Sequence, residues 1–138
     1  MSATTPPDGP PAALPVSDVM EASRSMLQMQ LYAITTTPTD GLGPVLAHLE
    51  AHLAFQVGLE KDGVLFAAGP LWTDDEREWR GEGLVVVRAP SRAAAIAIAE
   101  RDPMHASGAR RFVVRPWMIN EGSLSLRLDL SSQRLALA

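Results

Sequence analysis

Hydrophobic and polar positions divide the chain near residue 28. Before it, apolar residues are scattered. The run Pro6-Pro7-Asp8-Gly9-Pro10-Pro11 suits neither helix nor sheet, so residues 1–15 are expected to be disordered. Residues 16–27 are expected to form a short helix or an arm through Val19, Met20, Ala22 and Met26, capped by Ser17 or Asp18.

From residue 28 the pattern becomes regular. Alternation over residues 28–35 predicts a strand. Pro38, Gly41, Gly43 and Pro44 mark a loop, and a helix is predicted over residues 43–61, stopped by Asp62-Gly63. Its expected core-facing stripe is Leu42, Leu46, Leu49, Leu53 and Val57, with a small-residue face of Ala47, Ala51, Ala54 and Gly58. Val64 to Ala68 reads as a second strand broken by Gly69-Pro70, and the charged residues 72–82 as an exposed loop that could also serve as a lid. Leu84-Val85-Val86-Val87 is apolar on both faces of a third strand. Ser91 is placed to cap a second helix, which Asp102-Pro103 ends because a residue before proline resists the helical conformation. Residues 111–119 form a predicted fourth strand. Leu124, Leu126, Leu128 and Leu130 alternate with Ser125, Arg127 and Asp129, which predicts a half-buried fifth.

The order β-α-β-β-α-β plus one strand is the ferredoxin-like, split βαβ plan of an α+β protein. Its organisation would be an N-terminal extension, 1–27, and a folded domain, 28–138. Two helices cover one face of such a sheet, yet the strands at 84–87 and 112–119 are apolar on both. A second copy of the chain is the simplest cover, so a homodimer is expected.

Composition narrows the partners. The 138 residues are 46% hydrophobic and 20% charged, as in an ordinary single domain. A net charge of −4 without a basic stripe argues against nucleic acid. No apolar run is long enough to span a bilayer, and residues 1–15 do not read as a secretory signal. The absence of cysteine removes disulfide and thiolate chemistry and fits a cytoplasmic location. No Gly-rich phosphate loop or other organic-cofactor motif is present, so no cofactor is expected.

The candidate chemistry lies at His52 and Asp102. His52 sits beside Leu49 at the edge of the apolar stripe, where a histidine is commonly a satisfied core residue but is also able to move a proton near neutral pH. Asp102 precedes Pro103 and a short helical pattern, which makes it an N-cap. It also closes the preceding helix, where a carboxylate is unfavourable without a cation nearby. Protonated His52 would supply one, so capping and orienting can coexist. His48, His52 and His105 raise the question of a metal, but His-Leu-Glu-Ala-His lacks the glutamate directly after the first histidine that zinc proteases use, and none is assigned. Gly69 and Pro70 mark a bulge or sheet edge and would also let a ligand approach the backbone closely. Phe55, Trp72 and Trp117 are core or pocket wall, and Phe55 and Trp117 are assigned to the pocket.

The set His52-Leu53-Ala54-Phe55, Leu59, Asp62-Gly63-Val64-Leu65 and Ala68-Gly69-Pro70 resembles the YciI-like (YCII-related) family. Ala99-Glu100-Arg101-Asp102-Pro103 and a strand holding Val114, Arg115, Pro116 and Trp117 extend the resemblance over about residues 29–118. It implies a dimeric α/β barrel, in which two sheets pack face to face, and an active site pairing His52 with Asp102. Some members are lyases or dehalogenating enzymes acting on small aromatic or lactone substrates, and most have no known reaction. The resemblance thus implies an enzyme on a small organic molecule. The competing readings are a non-catalytic ligand-binding or regulatory module using the same pocket, and an assembly protein whose histidine is structural.

Overall fold

A computed structural model of the chain describes residues 9–138; the start of the stretch expected to be disordered, residues 1–8, lies outside the described residues. Gly9 to Pro15 form neither helix nor strand, and α1 runs over Val16–Ala22. Pro15 stands at its N-cap without a side-chain bond, so Ser17 and Asp18 lie within the first turn rather than capping it.

Residues 29–119 make one compact unit. Its elements are β1 (Met29–Pro38), α2 (Leu42–Lys61), β2 (Leu65–Trp72), β3 (Trp79–Val87), α3 (Arg92–Arg101), α4 (Pro103–Ala106) and β4 (Arg110–Ile119). The four strands are antiparallel in the order β2-β3-β1-β4, the ferredoxin-like arrangement that the element order predicts. Two expectations need correcting. β2 does not break at Gly69-Pro70 but continues to Trp72, and β3 begins at Trp79, inside the stretch expected to be loop. β2 is an edge strand, where a proline without an N–H is tolerated, and shifts of register at Leu65/Ala67 and Pro70/Trp72 absorb the irregularity. At the foot of β3, Gly81 has φ +86°, and a Cβ there would lie 2.7 Å from Pro38 Cγ and 3.1 Å from Leu42 Cδ2, so only glycine fits.

The helix side of the sheet carries the core. Ile34, Val85, Val87 and Val114 pack with Ala95 and Ala99 of α3, whose small side chains let the helix lie close. A second cluster joins Val45 to Met104 and Ala109, with Leu49 and Trp79 packed against it. Ser91 caps α3 by accepting from the Ala94 N–H at 3.1 Å.

The face of α2 that is buried differs from the expected one. The buried residues are Val45, His52, Gln56 and Leu59, with Leu49 half-buried, while Leu42, Leu46, Leu53 and Val57 are exposed. At about 100° per residue the helix is rotated by roughly 80° from the leucine stripe. Counting leucines ignored what the sheet side offers: His52 and Gln56 can be buried because each finds a hydrogen-bond partner there.

Residues 9–28 and 120–138 belong to a second unit. Leu124 to Leu130 do not add a half-buried strand to the main sheet. β5 (Leu126–Asp129) pairs with β6 (Arg134–Leu137), a strand absent from the predicted elements, in a separate two-stranded sheet. Leu126 pairs with Leu137 and Leu128 with Leu135, and all four are exposed. Strict alternation sets a strand's period but does not choose its partner.

Candidate functional site

Residues of α2, β1, β2, β3 and β4 line an open cavity of about 360 Å³. That lies within the range of small-molecule pockets, about 300–1,000 Å³. α2 contributes Leu49, His52, Leu53 and Gln56; β2 contributes Ala68, Gly69, Pro70 and Trp72; β3 contributes Trp79, Glu82, Gly83 and Val85. Thr36 of β1 and Arg110 of β4 complete the wall. Most of that wall is hydrocarbon or aromatic, with a few polar groups among it.

His52 stands between this cavity and Asp102. Its Nδ1 lies 2.9 Å from Oδ1 and 2.8 Å from Oδ2 of Asp102. Both side chains are buried, and Asp102 is only 3% exposed. The turn between α3 and α4 fixes the carboxylate: Asp102 ends one helix and caps the next, its Oδ1 accepting from the Met104 N–H at 2.9 Å, with Pro103 in the first position of α4. One carboxylate therefore both caps a helix and receives the imidazole N–H. Burial works to raise the Asp102 pKa, but the hydrogen bonds from His52 and Met104 and the nearby His52 and His105 rings outweigh it and hold the carboxyl below its ordinary value. An ionised carboxylate fixes the tautomer: Nδ1–H donates to Asp102, and Nε2 keeps a lone pair. Gln56, one helical turn on, lies with its amide nitrogen 3.3 Å from that Nε2 and donates to it.

His105 is committed to structure. Its Nδ1–H donates to the Ala99 carbonyl at 2.7 Å, which leaves Nε2 to accept from the Thr36 hydroxyl at 2.9 Å. Burial lowers its pKa, opposed by the Ala99 bond and Asp102 and aided by Arg110 and His52. His48 donates from Nδ1 to the Pro44 carbonyl at 2.8 Å. Each histidine is bonded to a different partner, and among the described residues no group of three or more His, Asp or Glu side chains is placed to hold a metal ion.

Of the residues assigned to a pocket, Gly69 and Pro70 line the same cavity as His52. Phe55 does not: it borders a separate hollow of about 10 Å³ beside Ile98 and Asp102, because it projects from the flank of α2 that meets α3. Trp117 is also elsewhere. It pairs with Leu31 in the β1–β4 ladder and is 44% exposed, two strand periods from Val113 on the face opposite Val114. Sequence reasoning missed Thr36, Gln56, Trp79 and Arg110. Gln56 was findable, since a glutamine four residues after a histidine on an apolar helix shares its face.

The buried groups predict how stability depends on pH. His105 has a lowered folded pKa, so the unfolded chain takes up its proton first as pH drops below about 6.5. Asp102 is lowered from the carboxylate range, so its contribution is complete above about pH 4 and is lost as pH falls through the folded value. Urea unfolding should thus show two acid-side losses, one starting near pH 6.5 and one near pH 4, by those reference values. His105→Gln should remove the first; a wild-type slope unchanged in that variant between pH 7 and 5 would contradict the assignment.

The fold and the buried His–Asp pair beside an apolar cavity define a ferredoxin-like α+β protein with a candidate small-molecule site. The YCII-related domain matches residues 29–118, most of the chain, and the protein belongs to that family. No curated protein matches it significantly. Among solved structures it is similar to 5-chloro-2-hydroxyhydroquinone dehydrochlorinase (TftG) from Burkholderia phenoliruptrix in complex with 2,5-dihydroxybenzoquinone, with a TM-score of 0.49 and 20% identity over 63% of this chain and 92% of that one.

Proposed function

We propose that this protein is a cytoplasmic enzyme that transfers a proton on a small organic substrate, in a lyase or isomerase type of reaction, with His52 as the proton carrier and Asp102 orienting it. One observation supports this above the others: a cavity-lining imidazole whose rear nitrogen is bonded to a buried carboxylate. Such a ring is held in one tautomer and orientation, with Nε2 as the reactive atom. A ligand group carrying the proton would take the place of the Gln56 amide, whose 3.3 Å contact is long for a hydrogen bond and easily given up. Asp102 stabilises the imidazolium that forms. A turnover screen of small aromatic and lactone compounds, the classes associated with the family, tests the reading. Saturable binding without conversion would favour the second reading, a ligand-binding or regulatory module.

The active form in this reading is a homodimer. Val113 and Trp117 on β4 are exposed at 57% and 44%, and a partner's sheet would bury them as in a dimeric α/β barrel. Light scattering at micromolar concentration should give twice the 14.8 kDa chain mass; a stable monomer would rule the dimer out.

A further inference from the structure

Arg110 opens β4, opposite Pro38 of β1, on the helix side of the sheet. It is 5% exposed and lines the cavity that His52 lines. Its guanidinium makes no hydrogen bond among the described residues, and its Nε is buried without any acceptor. The groups around it do not fill the deficit. Trp79 offers a ring face with its centroid 6.0 Å away, a cation–π contact that provides no acceptor. The indole N–H of Trp79 is a donor, bonded to the Glu82 carbonyl at 2.8 Å, and offers Arg110 no acceptor either. Asp102 attracts Arg110 through space, but no hydrogen bond or ion pair joins the two. The Glu82 carboxylate belongs to an exposed residue of the cavity rim and forms no ion pair with Arg110. The Thr36 hydroxyl bonds to His105 and makes no hydrogen bond to Arg110. A buried arginine is ordinarily paired, because removing its charge from water is costly without an acceptor.

We propose that Arg110 is the anion seat of this cavity, and that the ligand is a flat, largely apolar molecule bearing one carboxylate. A planar guanidinium suits a carboxylate better than it suits a lone hydroxyl or carbonyl. The tryptophans at 72 and 79, with Leu49, Leu53 and Pro70, suit an aromatic or alicyclic body. Seated this way, the carboxylate lies against β4 and the body extends along α2, where His52 and Gln56 face it. The assignment deepens the function proposed above and rests on the cavity being a ligand site, but not on His52 moving a proton.

Titration of the full-length protein at pH 7 with a series of aromatic carboxylates and their matching uncharged amides, followed by calorimetry, tests it. Wild type should bind at least one carboxylate about 10-fold or more tightly than its amide, as expected for a charge-assisted hydrogen bond. Arg110→Met should abolish that preference, leaving the amide affinity within about twofold of wild type. Arg110→Lys, which keeps the charge if the methionine variant folds poorly, should retain a reduced preference. His52→Ala should retain it too. Equal affinity for acids and amides in wild type, no binding of any acid, or a preference that survives Arg110→Met would overturn the proposal. A carboxylate preference in a protein that converts no compound would leave the anion seat standing and remove only the enzymatic reading.

Discussion

Replacing His52 by alanine is expected to reduce kcat on any converted substrate by about 10²–10⁴-fold, the usual contribution of a positioned acid or base. The fold should survive. His52 lies beside an open cavity, so truncation enlarges a space that water already reaches rather than creating a dry void. What is lost is the bond to Asp102, whose carboxylate keeps the Met104 N–H and remains near Arg110. A melting temperature within a few degrees of wild type, together with loss of turnover, is the expected pair of results. Unfolding of the variant with activity preserved per folded molecule would show that His52 is a core residue and nothing more.

Asp102 should respond differently, because it does two things at once. Asp102→Ala removes the N-cap of α4, about 0.5–2 kcal/mol. It also leaves the buried Nδ1–H of His52 without an acceptor, a further cost of about 1–3 kcal/mol. Both stability and turnover should fall. Asp102→Asn keeps an oxygen for the Met104 N–H and so should keep most of the cap. It removes the charge that holds the imidazole in its Nδ1–H form, and turnover should drop by up to about 10⁴-fold, the loss seen when an orienting aspartate is neutralised in serine hydrolases. A fully active Asp102→Asn protein would reduce Asp102 to a helix cap.

Much of the fold was legible because each signal had one physical meaning. Asp102-Pro103 cannot continue a helix and is well suited to start one, and that turn holds the carboxylate in place. Ser91 reads the same way. The buried face of α2 was not legible, because the helix is apolar nearly all round and the choice fell to partners that are distant in sequence: Asp102 lies 50 residues from His52. Arg110 was missed for the same reason. Beside Arg111 it looks like solvated charge, and only the sheet register turns one of the two inward. Phe55 and Trp117 read as core or pocket wall, and neither the aromatic type nor the resemblance says from which side of an element a ring projects. The 124–130 leucines showed a strand but not its partner, since β6 carries only Leu135, Ala136 and Leu137 after a turn.

In the proposed reaction His52 exchanges a proton with a small molecule in the cavity. Solvent-deuterium incorporation tests it most directly, since carbon-bound proton exchange is visible even when net conversion is slow. Small aromatic and lactone compounds incubated in deuterium oxide with the wild-type protein should include at least one that gains deuterium at a defined carbon, seen by mass spectrometry. The same compound should gain none above background with His52→Ala. Exchange at an equal rate with both proteins would contradict the account.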